Sequence, residues 1–235
     1  MEINKIYNMD CLEGMSLLKN KSIDMILCDL PYGITDCKWD SIIPLDELWQ
    51  QYNRIIKDNG AIVLFSAQPF TTKLINSNIK NFKYCWYWKK NITTGYCFAK
   101  YQPMRCIEDI CVFYKNTPTY NPQGLKALDK PRIKNRKDNG VYGASLNKVH
   151  VTKYTNYPKH LLEFSKDKEK LHPTQKPVKL CEYLIKTYTN EGDIVLDNCV
   201  GSGSTILACK NVKRNYIGFE INKDYVDIAV NRLTA

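Results

Sequence analysis

The chain has 235 residues, with 34 Lys and Arg against 24 Asp and Glu, which gives a formal net charge of +10. Its hydrophobic fraction of 44% is enough for a sizeable core. No apolar stretch approaches the roughly 20 residues of a membrane-spanning helix, and the N-terminus lacks the basic and apolar regions of a secretory signal. These features exclude a membrane protein and predict a cytoplasmic one, and the basic charge suits a nucleic-acid partner.

Short apolar runs alternate with amphipathic stretches, which is typical of an α/β fold. In chain order we predict a strand near residue 6, a helix over 11–20, a strand over 23–29, a helix over 45–59, a strand over 61–66, a helix over 69–78, strands over 83–89 and 109–114, a helix over 177–189, a strand over 193–198, a helix over 203–211, a strand over 215–220 and a helix over 223–233. Asn59-Gly60 is predicted to end the second helix, because glycine favours the positive φ of a helix stop.

Residues 116–170 interrupt this alternation. They are polar, rich in Asn, Lys, Pro and Gly, and short of apolar periodicity, and residues 115–170 hold thirteen Lys and Arg against five acidic residues. A structureless loop of that length inside a compact domain is usually functional or forms a small subdomain. We therefore predict three segments, over residues 1–115, 116–170 and 171–235.

The first motif is Asp29-Leu30-Pro31-Tyr32-Gly33, directly after the strand predicted over 23–29. A carboxylate at the carboxyl end of a parallel strand lies at the edge of the sheet where α/β proteins place their sites. Pro31 holds Leu30 in an extended conformation. Asp29 and the Leu30 carbonyl could then accept hydrogen bonds from an amino group, although an ordinary strand-ending turn would use the same residue types.

The second motif is the glycine-containing loop Asp197–Thr205, which follows the strand predicted over 193–198. Its glycines allow a ligand to approach the backbone closely, and the helix that follows directs its amide dipoles at that ligand. The loop is neither G-x-G-x-x-G nor a phosphate-binding Walker loop. Glu220 at the end of the next strand is spaced to accept both hydroxyls of a ribose, whereas the alternative is a tight turn with an exposed acid.

A third motif, His172–Pro177, is stiffened by its prolines, and Lys176 within it could present a cation. The alternative is a plain loop before a helix. The ten cysteines form no C-x-x-C pair, and the three histidines do not join them at metal-ligand spacing. We therefore predict reduced, mostly buried thiols and no metal site.

These motifs together resemble the amino-group DNA methyltransferases in the circularly permuted arrangement called the β class. In that family a D-P-P-Y motif comes first, a target-recognition region follows, and a H-x-x-x-K-P-like segment and a D-x-F-x-G-S-G-T loop come last. The order here is the same over nearly the whole chain. Leu30 replaces the first proline, which spares the backbone carbonyl, and Cys199 replaces the usual aromatic residue, which removes a ring that would pack on the cofactor.

The resemblance implies a Rossmann-like methyltransferase fold with a doubly wound, mostly parallel, seven-stranded sheet, circularly permuted, and a basic target-recognition insertion over 116–170. The cofactor that the resemblance implies is S-adenosylmethionine, and it implies no metal. The implied catalytic residues are Asp29, Leu30, Pro31 and Tyr32. The implied cofactor-binding residues are Asp10, Cys11, Asp29, Lys176, Asp197, Gly201, Gly203, Ser204, Thr205, Glu220 and Ile221. The implied DNA-binding residues are Lys130, Arg132, Lys134, Arg136, Lys137, Lys148 and Lys153.

The resemblance also implies a role for most of these residues. Asp29 and the Leu30 carbonyl accept hydrogen bonds from the target amino group, and Tyr32 stacks on a base flipped out of the duplex. Glu220 holds the ribose of the cofactor and Asp10 lies near its adenine. The loop over 201–205, with Lys176, holds its methionine end.

The expected substrate is double-stranded DNA in a bacterial or phage-infected cell, and a homodimer and a cognate restriction endonuclease are further expected partners. Asp29 favours N6 of adenine, since a serine at that place often accompanies methylation of N4 of cytosine in this family. The alternatives are an N4-cytosine enzyme, an inactive DNA-binding protein on the same scaffold, an RNA or protein-glutamine methyltransferase, and a dehydrogenase. The incomplete dinucleotide fingerprint disfavours the last.

Overall fold

The computed structural model describes residues 1–33, 41–135, 149–167 and 175–234. The chain forms two compact units. One comprises Met1–Asn121 with His160–Ala235, and the other comprises Pro122–Lys159. Among the described residues, no helix has the length and apolar character that crossing a bilayer requires.

The larger unit is built around one eight-stranded sheet. Its elements are β1 (Lys5–Asn8), α1 (Cys11–Ser16), β2 (Ile23–Asp29), α2 (Leu45–Ile55), β3 (Ile56–Ser66), α3 (Phe70–Ser77), β4 (Phe82–Thr94), a 3-10 turn (Tyr96–Phe98) and β5 (Arg105–Phe113). After the smaller unit, which holds β6 (Lys126–Asn135) and β7 (Val149–Thr155), follow β8 (Leu161–Glu163), α4 (Val178–Tyr188), β9 (Ile194–Asp197), α5 (Ser204–Asn211), β10 (Asn215–Glu220) and α6 (Lys223–Thr234).

The strand order of this sheet is β1-β10-β9-β2-β3-β5-β4-β8. All neighbouring pairs are parallel except β3 with β5 and β4 with β5. The strands from the C-terminal part of the chain therefore lie between β1 and β2. This order confirms the predicted mostly parallel, circularly permuted sheet, to which the short edge strand β8 adds an eighth member.

Helices cover both faces of the sheet, because the central strands are apolar on both sides. In β2, Ile26 and Cys28 pack in a core with residues of α1, α2 and α3, whereas Met25 and Leu27 pack in a second core with residues of α4 and α5. A strand buried on both faces needs the continuous apolar run that β2 has. The predicted doubly wound arrangement is therefore confirmed.

The prediction that Asn59-Gly60 ends a helix is wrong. Helix α2 ends at Ile55 and β3 begins at the next residue, so both positions lie inside a strand. A Cβ atom added at Gly60 would lie 2.7 Å from the backbone oxygen of Asp24. Glycine is thus needed for the close approach of β2 and β3 rather than for a positive φ.

The segment over 116–170 contains secondary structure that its sequence pattern did not indicate. Strands β6 and β7 form a two-stranded antiparallel sheet with a register shift between Ala127 and Arg132. The compact unit Pro122–Lys159 is narrower than the predicted insertion, because β8 joins the main sheet beside β4. A role for this unit in target recognition stays a prediction.

The described cysteines form no disulfide with one another. All nine are free, and five of them are buried: Cys11, Cys28, Cys111, Cys181 and Cys209. The tenth, Cys37, lies outside the described residues.

Candidate active site

The functional residues that the sequence singled out meet at the carboxyl ends of adjacent parallel strands. Asp29 ends β2, Asp197 ends β9 and Glu220 ends β10. One cavity of about 420 Å³ opens at this edge and is lined by all three side chains. Segments nearly 200 residues apart along the chain therefore share a single site, as the rule for open α/β sheets anticipates.

The cavity extends to two sides of Asp29. Toward β10 it is lined by Asp10, Cys11, Gly201, Ser204, Thr205, Glu220 and Ile221, which we call the β10 side. In the other direction it is lined by Trp88, Lys90, Thr94, Arg105, Ile107 and Glu108, which we call the β4–β5 side. Asp29, Leu30, Pro31, Tyr32 and Lys176 also line it. A single cavity could thus accommodate two ligands, one on each side of Asp29.

Asp29 and Tyr32 form a hydrogen-bonded pair. The Tyr32 hydroxyl donates to Oδ1 of Asp29 at 2.6 Å, and the Tyr32 ring stacks on Phe70 with centroids 5.3 Å apart. Burial raises the pKa of Tyr32 well above its usual value, and the charges of Asp29 and Glu108 raise it further. The phenol therefore stays protonated and remains a donor to the carboxylate.

Lys176 is buried and lies directly against Asp29. Its Nζ is 2.5 Å from Oδ2 of Asp29 and 3.5 Å from Oε2 of Glu108. Burial by itself would lower the pKa of Lys176, but the charges of Asp29 and Glu108 outweigh it and raise the pKa above its usual value. Lys176 is therefore a cation held by two carboxylates. His172 and Thr174 of the same motif lie outside the described residues.

Two further charged side chains belong to the site, and the sequence analysis missed both. Lys90 in β4 and Glu108 in β5 are paired at 2.7 Å between Nζ and Oε1. Burial tends to raise the pKa of Glu108, but Lys176 and Lys90 together bring it below its usual value. The signal that could have found Lys90 is the period-two alternation of β4, which puts it on the same buried face as Trp86 and Trp88.

The loop between β9 and α5 is held by Glu220. The backbone N–H of Gly201 donates to Oε2 of Glu220 at 2.8 Å, and the N–H of Asn222 donates to its Oε1 at 2.9 Å. Asp197 is buried beneath the loop and accepts a hydrogen bond from the Cys199 N–H. Burial raises the pKa of Asp197 to about 7. Gly203, with a φ of +83°, precedes the first turn of α5.

Asp10 has a structural role in addition to the place near the cofactor's adenine that the resemblance implies. Its side chain caps α1 by accepting hydrogen bonds from the N–H groups of Leu12 and Glu13. It lines the cavity as well, so capping does not remove it from the site. Neighbouring Cys11 is buried, whereas Ile221 is 67% exposed at the rim of the β10 side.

Of the predicted DNA-binding residues, Lys130, Arg132 and Lys153 are exposed on the β6–β7 sheet of the smaller unit. The backbone of Lys134 lies in β6. Arg136, Lys137 and Lys148 lie outside the described residues. The exposed positive charge of this sheet is compatible with contacts to phosphates.

The sequence and the fold both match known proteins. Residues 23–231 match the model of a family described as DNA methylase. The type II methyltransferase M.HpaI of Haemophilus parainfluenzae is 31% identical over 95% of this chain and 73% of its own length. The solved complex of M1.HpyAVI with S-adenosylmethionine is 29% identical, with a TM-score of 0.66 over 97% of this chain and 99% of that chain.

A second solved structure, the cytosine-N4-specific PvuII DNA methyltransferase, has a TM-score of 0.73 over 99% of this chain and 86% of that chain. At 19% identity this likeness shows the fold alone. The fold is that of the S-adenosylmethionine-dependent methyltransferases. Because the family model covers most of the chain, the protein belongs to the DNA methylase family that modifies N6 or N4 amino groups.

Proposed function

We propose that the protein transfers the methyl group of S-adenosylmethionine to the N6 amino group of adenine in DNA, after the adenine has been flipped out of the duplex. The observation that carries this proposal is the single cavity that is lined both by Asp29 and by Gly201 and Glu220. In-line transfer requires the methyl donor and the amino group to meet at such a junction.

The residues on the β10 side fit the cofactor. Glu220 ends β10 beside the Gly201 loop and suits the two hydroxyls of a ribose, while Asp10 and Ile221 line the same wall. The carboxylate of Glu220 has lone pairs beyond the two that bind backbone N–H groups. Bound there, S-adenosylmethionine supplies an activated methyl group on a positively charged sulfur.

The β4–β5 side fits a flipped base. An exocyclic amine cannot be reached inside a duplex, so the target nucleotide must rotate into a pocket. Asp29 and the Leu30 carbonyl would accept the two N–H groups of the amine and direct its lone pair at the methyl carbon. Asp29 would then take the proton that the nitrogen loses as the new bond forms.

Adenine is proposed over cytosine because the family resemblance associates aspartate at position 29 with N6 methylation. Methylation of N4 of cytosine is the second candidate, because the matched family includes enzymes that modify either amino group. An inactive DNA-binding protein is the third. The charged pair of Asp29 with Lys176 and the intact loop at Gly201 weigh against it.

The experiment that tests the proposal identifies the methylated product. Purified protein is incubated with labelled S-adenosylmethionine and genomic DNA from a methylation-deficient strain, and the DNA is digested to nucleosides for mass spectrometry. We expect N6-methyladenine. N4-methylcytosine would refute the choice of adenine, and DNA without label would refute the proposed activity.

A second prediction concerns the smaller unit. Replacing Lys130, Arg132 and Lys153 together by alanine is expected to weaken binding to duplex DNA at all sequences alike. If each side chain neutralises one phosphate, the slope of log Kd against log salt falls by about 0.9 per residue, or roughly 2 to 3 in total. The measurement is a salt titration of DNA binding by fluorescence anisotropy.

The matched control replaces three exposed lysines of the larger unit, which lie at the edge of the eight-stranded sheet opposite the cavity. Lys19 precedes β2, Lys80 precedes β4 and Lys115 follows β5, so all three lie away from the cavity. This variant is expected to keep the salt slope of the unmodified protein. An equal change in both variants would mean that only total charge matters and that the β6–β7 sheet is no DNA-binding surface.

A role in restriction and modification, with a cognate endonuclease, is proposed from the likeness to the type II methyltransferase M.HpaI. Self-association is proposed from the family resemblance alone. Sedimentation of the purified protein across a range of concentrations would test it.

A further inference from the structure

One oxygen of Glu108 is buried and makes no hydrogen bond to any residue that the structure describes. Its Oε1 accepts from Lys90 at 2.7 Å, whereas Oε2 has no hydrogen-bond partner among the described residues. The Lys176 ammonium lies 3.5 Å from Oε2, which is beyond the distance of a normal charge-assisted hydrogen bond. A buried carboxylate oxygen without a partner is rare and calls for an explanation.

Asp29 has the opposite condition, because each of its oxygens already accepts a hydrogen bond. Oδ1 accepts from the Tyr32 hydroxyl and Oδ2 accepts from the Lys176 ammonium. Its remaining lone pairs can accept the target amine. The proposed reaction, however, develops positive charge on the amine nitrogen, which an ammonium held on Asp29 would oppose.

Lys176 cannot solve this conflict by moving into water. Its side chain is only 8% exposed, and a buried ammonium without a counter-charge is strongly disfavoured. Glu108 offers the required counter-charge within reach. A shift of less than about 1 Å would shorten the 3.5 Å separation to a normal charge-assisted contact.

We propose that entry of the target amino group transfers the Lys176 ammonium from Asp29 to Oε2 of Glu108, and that Glu108 is therefore a positioning residue for methyl transfer. Lys90 serves this exchange by fixing the other oxygen of Glu108. The two lysines and two carboxylates keep the same net charge before and after the shift. The inference rests on the proposed function and assigns Glu108 a role through Lys176 rather than in contact with substrate.

The test measures the single-turnover rate of methyl transfer from labelled S-adenosylmethionine to DNA that is already bound. Glu108→Gln keeps the size of the side chain but removes its charge, so Lys176 should stay on Asp29. We expect the rate to fall by about 10- to 100-fold, with the Kd for cofactor and DNA changed less than twofold. Glu108→Asp, which restores the charge, should recover part of the rate.

The decisive comparison repeats Glu108→Gln in a Lys176→Met background. Because Lys176→Met removes the ammonium, Asp29 no longer pairs with a cation there, and no ammonium has to move to Glu108. The same substitution should then change the rate by less than about threefold, a coupling that two independent structural effects would not produce. Glu163→Gln is the matched control, because Glu163 pairs with Lys89 at the exposed edge formed by β4 and β8.

An unchanged rate for Glu108→Gln would overturn the inference. So would an equal loss in both backgrounds, or a loss of cofactor affinity above tenfold, since either would indicate a structural role. All three outcomes leave the proposed function standing if the unmodified protein transfers methyl groups. Absence of transfer by the unmodified protein would instead overturn the proposed function, and this inference with it.

Discussion

Replacing Asp29 by alanine is expected to lower the single-turnover rate of methyl transfer by about 100- to 1000-fold, which is the usual scale for losing a group that stabilises developing charge. The variant loses the acceptor that orients the amine and takes its proton. The β10 side of the cavity keeps Glu220, Gly201 and Asp10, so the affinity for S-adenosylmethionine should change only a few-fold. The measurement pairs a methyl-transfer assay with calorimetric binding of the cofactor.

Asp29→Ala also leaves the buried Lys176 with Glu108 as its nearest carboxylate, which could reduce stability. Asp29→Asn keeps the size of the side chain and an oxygen that can accept from Tyr32, but like Asp29→Ala it removes the charge beside Lys176. The free energy of unfolding is therefore measured for both variants alongside the rate. The matched control is Asp58→Ala, which removes a carboxylate that pairs with Lys21 and is 55% exposed. Transfer by Asp29→Asn at the rate of the unmodified protein would refute the role assigned to this carboxylate.

The sequence was sufficient to find the residues that end strands. Asp29, Asp197 and Glu220 each follow an apolar run, and parallel strands of one sheet present their carboxyl ends at one edge. Their meeting in one cavity was therefore predictable without coordinates. The resemblance to a family with a known order of motifs made the same prediction by a separate route.

The sequence could not identify the partners of Lys176. The motif around it suggested the methionine end of the cofactor. The ammonium lies against Asp29, 147 residues away in the sequence, and near Glu108. Such a pairing depends on how α4 and β2 pack together, and local spacing carries no information about that packing.

Local patterns also failed for strands that bury little apolar surface. Strands β6 and β7 pair with each other alone, so neither needs the apolar alternation on which strand prediction depends. Strand β8 is three residues long and contributes one buried side chain, Leu162. In each case the backbone hydrogen bonds define the strand, and side-chain periodicity does not reveal it.

Replacing Gly203 by alanine is expected to be the most damaging single change to the fold at the cofactor loop. Its φ of +83° costs a residue with a Cβ about 1 to 2 kcal/mol. The added Cβ would also lie 2.9 Å from the Cβ and 3.2 Å from the Cα of Ala229, which is buried in α6. Overpacking of this kind costs about 1 to 3 kcal/mol more, measured as the free energy of unfolding in urea.

Gly192 provides a control that separates the cost of overpacking from the cost of the positive φ. Its φ is +86°, almost the same as that of Gly203, but an added Cβ would meet nothing within 4 Å. Gly192→Ala should therefore lower the free energy of unfolding only by the cost of the positive φ. Gly203→Ala should lower it by that cost and by the cost of overpacking against Ala229, and should also weaken cofactor binding by displacing the start of α5. Equal losses of unfolding free energy would mean that α6 yields to the extra methyl group, and that glycine is needed at position 203 only for its backbone angle.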